Sequence, residues 1–206
     1  PPVLATGAWS GHRLLVLGPI PTRESTDDLE PTVEVIRTIA GPTVDDTPTA
    51  TAWWDGLVEV ASTCPGLAAR LDRLGPHLEG RRWPFGRWHG DLAPWNACWV
   101  GGWLAVWDWE RSAAPVPLGL DLIHNRVQVG VLRRGTPIDA ALAAAPVRDA
   151  AILAGLGHRP DDGPLLAAAY AATLRARFAV DAARGPLGAA APLAAGLDAA
   201  AEGVDR

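Results

Sequence analysis

The chain has 206 residues, of which 49% are hydrophobic, and a protein of this size buries roughly 70% of the surface of its extended chain. Its formal net charge is −5, which argues against a nucleic-acid partner because such a partner requires a basic face. No apolar run reaches the roughly 18 residues that a membrane-spanning helix needs.

Lysine and methionine are both missing from the sequence. All 18 basic residues are arginines, and the lack of methionine leads us to expect a fragment or a processed product of a longer protein. The two cysteines, Cys64 and Cys98, do not have the spacing of a metal site. We therefore expect a reduced, cytoplasmic protein.

The chain begins with the pattern of a β-hairpin. Residues 3–9 and 12–17 have the composition of strands and meet at Ser10-Gly11. Gly18-Pro19-Ile20-Pro21 then interrupts the pattern, as a hinge between two parts of a protein would. The following residues, 22–50, are polar and rich in proline, and within them Val33–Ile39 predicts one short helix.

The first part of this polar segment is acidic, and it contains Glu24, Asp27, Asp28, Glu30 and Glu34. If the segment borders a substrate cleft, its charge favours a cationic substrate. A solvated surface face explains the same charges without any ligand.

Apolar residues at helical spacing predict the larger part of the remaining chain to be helical. The predicted helices cover 54–61, 67–78, 120 to about 134, and 166–178, with a further alanine-rich helical region at 138–156 that is interrupted at Pro146. Gly75-Pro76 is expected to end or bend the second helix. Residues 189–203 predict a frayed helix or a tail.

The most informative stretch runs from Trp88 to Glu110. Residues 97–100 and 103–107 are short, apolar and β-prone, and Gly101-Gly102 between them suits a tight two-residue turn. A hairpin folded in this way brings Asn96, before its first strand, beside Asp108, at the end of its second strand.

His89, Asp91 and Asn96 have the His-x-Asp-x4-Asn spacing of a phosphoryl-transfer loop. An amide oxygen from Asn96 and a carboxylate from Asp108 suit a hard cation such as Mg²⁺, while Asp91 is free to accept a proton from an attacking hydroxyl. Taken singly, these residues are ordinary turn residues. His89 is expected to be a hydrogen-bonded structural residue.

Three motifs in order, HGDLAPWN, VWDWE and PLGLDL, closely resemble the catalytic segment of the aminoglycoside phosphotransferase and choline kinase-like family. The resemblance implies the protein-kinase fold: an α+β chain comprising the large C-terminal helical lobe with a catalytic-loop β-hairpin, and a two-strand remnant of the small lobe. The implied domains are residues 1–21, the end of the small lobe with the hinge, and residues 22–206, the large lobe.

The same resemblance implies a role for each matching residue. Asp91 corresponds to the catalytic base, and Asn96 and Asp108 correspond to the Mg²⁺ ligands. His89 corresponds to a residue that braces the loop. Asp121 corresponds to a residue that anchors the start of the following helix against the catalytic loop.

In this family the hinge binds adenine through a backbone carbonyl and a backbone N–H. The resemblance assigns adenine binding to Leu17, Gly18 and Ile20, with the backbone carbonyl of Leu17 as the hydrogen-bond acceptor. Pro19, at the expected donor position, has no N–H, so either Ile20 is the donor or the contact is weakened. The phosphate-binding lysine and the glycine-rich loop of such kinases are not in the sequence, so most of the small lobe is expected to lie outside this chain.

The implied function is an ATP- and Mg²⁺-dependent phosphotransfer to a hydroxyl of a small molecule, with a cationic acceptor favoured by the acidic segment. An alternative is a catalytically inactive, truncated kinase-like module that binds a nucleotide or a metal ion. A metal hydrolase that uses His89, Asp91 and Asp108 is a third interpretation, although such a site typically has a denser cluster of ligands.

Overall fold

A computed structural model describes residues 3–19, 30–186 and 193–197 of the chain. The fold is mixed α+β, as the sequence predicts, with seven α-helices between residues 33 and 184, a short helical segment at 193–197, and seven short strands among the described residues. The predicted domain boundary between residues 21 and 22, and the acidic residues Glu24, Asp27 and Asp28, lie outside the described residues.

The helices are α1 (Val33–Ala40), α2 (Ala52–Ala61), α3 (Pro65–Leu78), α4 (Leu120–Gln128), α5 (Ile138–Arg148), α6 (Ala150–Leu156) and α7 (Gly163–Arg184). The strands are β1 (Val3–Trp9), β2 (His12–Leu17), β3 (Val44–Asp46), β4 (Trp83–Trp88), β5 (Ala97–Val100), β6 (Trp103–Val106) and β7 (Ala113–Pro117). Within the described residues, no helix combines the length and the apolarity needed to cross a lipid bilayer.

The core is organised around α7, which contacts α2, α3, α4 and α5. Its predicted apolar stripe is confirmed, since Leu166, Tyr170, Leu174 and Phe178 are all buried. The stripe predicted on α3 is also confirmed, with Leu67, Leu71, Leu74 and Leu78 buried. Because residues three and four apart lie on one face of a helix, each stripe faces the shared core, where α3 and α7 contact each other.

Neither of the two helices with an internal proline ends at that proline. Helix α3 continues through Gly75-Pro76 to Leu78, because a proline two residues before the end removes a backbone donor only in the last turn and Leu78 is fully buried. In the alanine-rich region the break is at Asp149, three residues after Pro146, where the Asp149 carboxylate binds Arg126.

The sheet that carries the candidate site was not predicted. Strands β3, β4 and β7 form an antiparallel sheet in that order, with Phe85 paired to both Val44 and Pro117. The edge strands are only three and five residues long, with two aspartates in one and two prolines in the other, so they lack an alternating apolar pattern. The sheet positions the candidate site, because β4 ends at Trp88, immediately before His89.

The N-terminal hairpin has the predicted form, with β1 and β2 antiparallel and joined at Ser10-Gly11. Every residue of both strands is exposed, including Leu15 at 60% and Trp9 at 69%. The hairpin therefore adds almost nothing to the core of the described residues.

Replacement of Leu174 by alanine should destabilise the protein by roughly 2–5 kcal/mol, because it leaves a cavity at the centre of the α7 stripe. Leu174 is 0% exposed. The control is Leu132→Ala, at a position that is 60% exposed, for which a change below about 0.5 kcal/mol is expected. Urea unfolding followed by circular dichroism measures both, and similar losses in the two variants would contradict the assignment of the core.

Candidate functional site

The predicted hairpin after residues 89–96 is confirmed. Strands β5 and β6 pair Ala97 with Val106, around the turn at Gly101-Gly102. The second strand ends one residue earlier than predicted, but the ladder extends by one hydrogen bond, in which the Trp107 N–H donates to the Asn96 carbonyl at 3.1 Å. Asn96 and Asp108 are therefore brought to the same end of the hairpin.

The loop that precedes the hairpin turns at Gly90, whose φ is +83°. A Cβ atom at this position would overlap the backbone carbonyl of Arg111, so glycine is required there both by its φ angle and by the close approach of a second chain segment. The chain then passes Asp91 and makes one short helical turn, Pro94–Asn96, before β5 begins.

The backbone of this loop is held by side chains from two helices. The Asp121 carboxylate, at the start of α4, accepts hydrogen bonds from the His89 N–H (2.7 Å) and the Gly90 N–H (3.0 Å). From α7, Arg177 donates through Nη1 to the Gly90 carbonyl at 2.6 Å. The expected anchoring of α4 to the loop by Asp121 is thus present in the structure.

Asp121 is only 3% exposed, and its burial raises the pKa of its carboxyl group to about 7. The two backbone N–H donors oppose this rise in pKa, and the nearby charge of Asp91 adds to it. The loop is consequently anchored by an acid that titrates near neutral pH.

His89 braces the loop, as expected. Its Nδ1 accepts from the Asp91 N–H at 3.2 Å, so Nε2 carries the proton that is donated to the Trp107 carbonyl at 2.9 Å. Burial lowers the pKa of His89, against the hydrogen bond to Trp107 and the charges of Asp91 and Asp108. His89 is therefore a neutral link between the loop and the hairpin.

Asp91, the predicted catalytic base, is positioned by hydrogen bonds to both carboxylate oxygens. Oδ1 lies 2.9 Å from His124 Nε2, and Oδ2 accepts from Asn96 Nδ2 at 2.9 Å. Burial opposes ionisation of Asp91, but His124, the charge of Arg177 and the Asn96 hydrogen bond together leave the pKa of Asp91 below its ordinary value. The side chain is 31% exposed, so an ionised carboxylate with a fixed orientation faces solvent.

His124, which no sequence motif singles out, lies beside Asp91 in the structure. It is fully buried, and its Nδ1 lies 3.0 Å from the Tyr170 hydroxyl. Burial lowers the pKa of His124, and the neutral ring then donates from Nε2 to Asp91 and accepts at Nδ1 from Tyr170. One signal was available, because His124 lies three residues after Asp121 and hence on the same face of α4.

The predicted metal ligands fit a hard cation in their chemistry. Asn96 turns its Nδ2 towards Asp91, where it donates to both the carbonyl and the carboxylate, so its Oδ1 faces away from these groups. The Asp108 side chain is exposed and accepts no hydrogen bond from the described residues. These are oxygen donors of the kind that Mg²⁺ prefers.

A cation at this place would need further ligands. The described part of the chain contains no group of three His, Cys, Asp or Glu side chains that could hold a metal ion. Mg²⁺ is commonly bound by one or two protein carboxylates together with water and substrate phosphates, and Asn96 with Asp108 matches that smaller donor set.

A cleft of about 490 Å³ opens beside Asp91. The side chains that line it come from the segment after the hairpin and from the C-terminal half of α7, and they include Glu110, Arg111, Arg177, Asp181 and Arg184. Arg111 Nη1 binds Asp181 at 3.0 Å. The cleft thus gives a small molecule access to the Asp91 carboxylate between charged walls.

Two of the three predicted adenine-binding residues, Leu17 and Gly18, belong to the described part of the chain. Leu17 is the last residue of β2 and is 45% exposed, and Gly18 is buried. Neither lines the cleft beside Asp91, and Ile20 lies outside the described residues.

Comparisons with known proteins found no matching family model, no matching curated protein and no matching solved structure.

Replacement of Gly90 by alanine should destabilise the protein by clearly more than Gly80→Ala. Both glycines have positive φ, at +83° and +69°, which costs an alanine roughly 1–2 kcal/mol. A Cβ at Gly80 meets no atom within 4 Å, whereas at Gly90 it overlaps the Arg111 carbonyl. Equal losses of unfolding free energy in urea for the two variants would show that the loop and Arg111 are not in close contact.

The raised pKa of Asp121 predicts a pH-dependent stability. Between pH 3.8 and about 7 the folded protein retains a proton that the unfolded chain has released. The contribution of Asp121 is therefore fully present below pH 3.8 and is lost as the pH rises through about 7.

Asp121→Asn cannot ionise, so it should lack this pH dependence. The difference in unfolding free energy between wild type and Asp121→Asn should fall by a few kcal/mol across that pH range and level off above it. Urea unfolding at several pH values measures the difference, and a difference that is constant with pH would contradict the assignment.

Proposed function

We propose that this protein is a phosphotransferase that moves the γ-phosphoryl group of ATP to a hydroxyl of a small molecule. The observation that carries the proposal is the position of Asp91, whose ionised carboxylate is held from both sides and faces the cleft. The resemblance of the motifs around Asp91, Asp108 and Asp121 to those of the aminoglycoside phosphotransferase and choline kinase-like family supports it.

In this proposal Asp91 orients the acceptor hydroxyl and takes its proton. His124 and Asn96 fix the rotamer of the carboxylate, so that a free oxygen lone pair points to the hydroxyl at little cost in conformational entropy. The lowered pKa of Asp91 makes it a weak base, which suits proton transfer late in the reaction, when the attacking oxygen has become acidic. Its main contribution is then orientation.

Asn96 and Asp108 are the residues that would hold Mg²⁺. When bound there, the ion neutralises charge on the phosphate groups of the nucleotide. The hairpin fixes the separation of the two side chains, since the Trp107–Asn96 hydrogen bond and the His89–Trp107 hydrogen bond join both sides of the site.

At the level of the fold, we propose that residues 22–206 correspond to the large lobe of a protein-kinase-like enzyme and residues 1–21 to the end of its small lobe. The helices around α7 and the hairpin after the catalytic loop support this assignment. The exposed apolar side chains of β1 and β2 agree with strands that normally belong to a larger sheet.

A second candidate is an inactive module of the same fold that binds a nucleotide or a metal ion. The absence of lysine from the chain favours it, because kinases of this fold hold the nucleotide phosphates with a lysine. Measurements of ATP binding and of ADP release separate the two candidates, because the inactive module would bind nucleotide without turnover.

Two substitutions test the assigned roles. Asp91→Asn should retain Mg²⁺-dependent ATP binding and lose turnover by roughly 10² to 10⁴, because the amide keeps the shape of the carboxylate but cannot accept the proton. Asp108→Ala should lose Mg²⁺-dependent binding. Calorimetry measures ATP binding with and without Mg²⁺, and ADP release in the presence of a panel of hydroxyl compounds measures turnover.

Asp72→Ala is the matched control, since Asp72 is exposed on α3, and it should leave binding and turnover unchanged. If both site variants bind ATP and turn over like the wild type, the assigned roles are wrong. Binding of ATP by the wild type with no ADP release for any acceptor would favour the inactive module.

A further inference from the structure

Arg177 differs from the other arginines whose pKa is shifted by their surroundings. Arg81, Arg111 and Arg126 each bind a carboxylate, at 2.6, 3.0 and 2.7 Å. Arg177 forms no ion pair with any described residue, and its hydrogen bond goes to the neutral Gly90 carbonyl.

The guanidinium of Arg177 is partly buried at the wall of the cleft, and this burial lowers its pKa. A desolvated cation without a counter-ion costs free energy, and an anion that pairs with it recovers that cost. A guanidinium has five N–H donors in a planar fork that matches a carboxylate or a phosphate. Only one N–H of Arg177 has an acceptor among the described residues, so most of the fork is available.

Asp91 and Asp181 lie near enough to favour the charged form of Arg177, but neither carboxylate forms an ion pair with it. Asp181, one turn further along α7, is bound to Arg111, and Asp91 is held by His124 and Asn96. Arg184 lies two turns after Arg177 on the same side of α7, lines the same cleft and is exposed. Two arginines without ion pairs to the described residues therefore follow one wall of the cleft, starting beside Asp91.

We infer that Arg177, assisted by Arg184, binds an anionic group of the acceptor, so that the acceptor is a small hydroxy compound bearing a carboxylate or a phosphate. This inference rests on the proposed phosphotransfer. The acceptor hydroxyl oxygen forms a bond to the γ-phosphorus of ATP, and the bond from that phosphorus to the β–γ bridging oxygen breaks. ADP leaves with the electron pair, and the hydroxyl proton passes to Asp91.

The acidic segment that favoured a cationic acceptor gives less support than its sequence suggests. Glu30 is engaged by Arg126 at 2.7 Å and by Arg148 at 3.1 Å. Glu34 lies in the first turn of α1 and does not line the cleft. In the described part of this segment, no carboxylate lines the cleft beside Asp91.

Three compounds with the same three-carbon skeleton test the charge preference: glycerate, glycerol and 2-amino-1,3-propanediol. Calorimetric titration of the wild-type chain without nucleotide should show glycerate binding at least about tenfold more tightly than the neutral and the cationic compound. Arg177→Gln should weaken glycerate binding by about tenfold to a hundredfold, the range of a charge-assisted hydrogen bond.

Three further variants serve as controls for folding and for charge. Arg184→Gln, at an exposed position, should fold normally and weaken glycerate binding severalfold. Arg177→Lys keeps the charge without the fork and should bind glycerate with intermediate affinity. Arg148→Gln removes an equal charge at a residue that pairs with Glu30 and does not line the cleft, and it should change nothing. Glycerate that binds no better than glycerol, or equally well to wild type and both glutamine variants at the cleft, overturns the inference.

Arg177 binds either the anionic group of the acceptor or the phosphoryl group that is transferred. Titration of glycerate in the presence of a nucleotide analogue distinguishes these two cases. Glycerate that still binds in the presence of Mg²⁺ and β,γ-imido ATP supports the acceptor assignment. Displacement of glycerate by that nucleotide would assign Arg177 to the phosphoryl group and overturn it.

Turnover separates this inference from the proposed function. ADP release with 2-amino-1,3-propanediol, but not with glycerate, would leave the phosphotransfer in place and overturn the anionic acceptor. Arg177-dependent binding of glycerate without any ADP release would support the anion site and contradict the phosphotransfer.

Discussion

The structure around Asp91 depends on one buried carboxylate, that of Asp121. It accepts the N–H groups of two successive loop residues, which would otherwise be buried without partners, at a cost of roughly 1–3 kcal/mol each. The same loop has its Gly90 carbonyl bound by Arg177 and its Asp91 carbonyl bound by Asn96. The loop from His89 to Asp91 has no regular secondary structure, and its backbone is held in place by side chains from α4, from α7 and from the short turn before the hairpin.

This arrangement ties the candidate site to the core. Helix α7 supplies both the buried stripe of Leu166, Tyr170, Leu174 and Phe178 and the cleft residue Arg177. Tyr170 connects the buried stripe to the candidate site, because its hydroxyl is hydrogen-bonded to His124, which is in turn hydrogen-bonded to Asp91. The position of the Asp91 carboxylate is therefore set by the packing of two helices as well as by its own loop.

The parts of the fold that follow local rules could be predicted from the sequence. Helical spacing located α3 and α7, and Gly101-Gly102 located the hairpin, because each pattern acts within a few residues. The three-stranded sheet was missed, since β3 and β7 are short and acquire strand geometry only by pairing with β4. At the site, spacing placed Asn96 beside Asp108, whereas the contacts of Asp91 with His124 and of Gly90 with Arg177 join residues 33 and 87 positions apart. Such contacts depend on how helices pack, which spacing does not encode.

The edge-on contact between Trp109 and His89, with ring centroids 4.7 Å apart, has an optical consequence. A protonated imidazole quenches indole emission more strongly than a neutral one, and burial keeps the His89 ring neutral against the charges of Asp91 and Asp108. Trp109 therefore escapes this quenching for as long as the His89 ring stays buried and uncharged, and it adds its emission to that of nine other tryptophans in the chain.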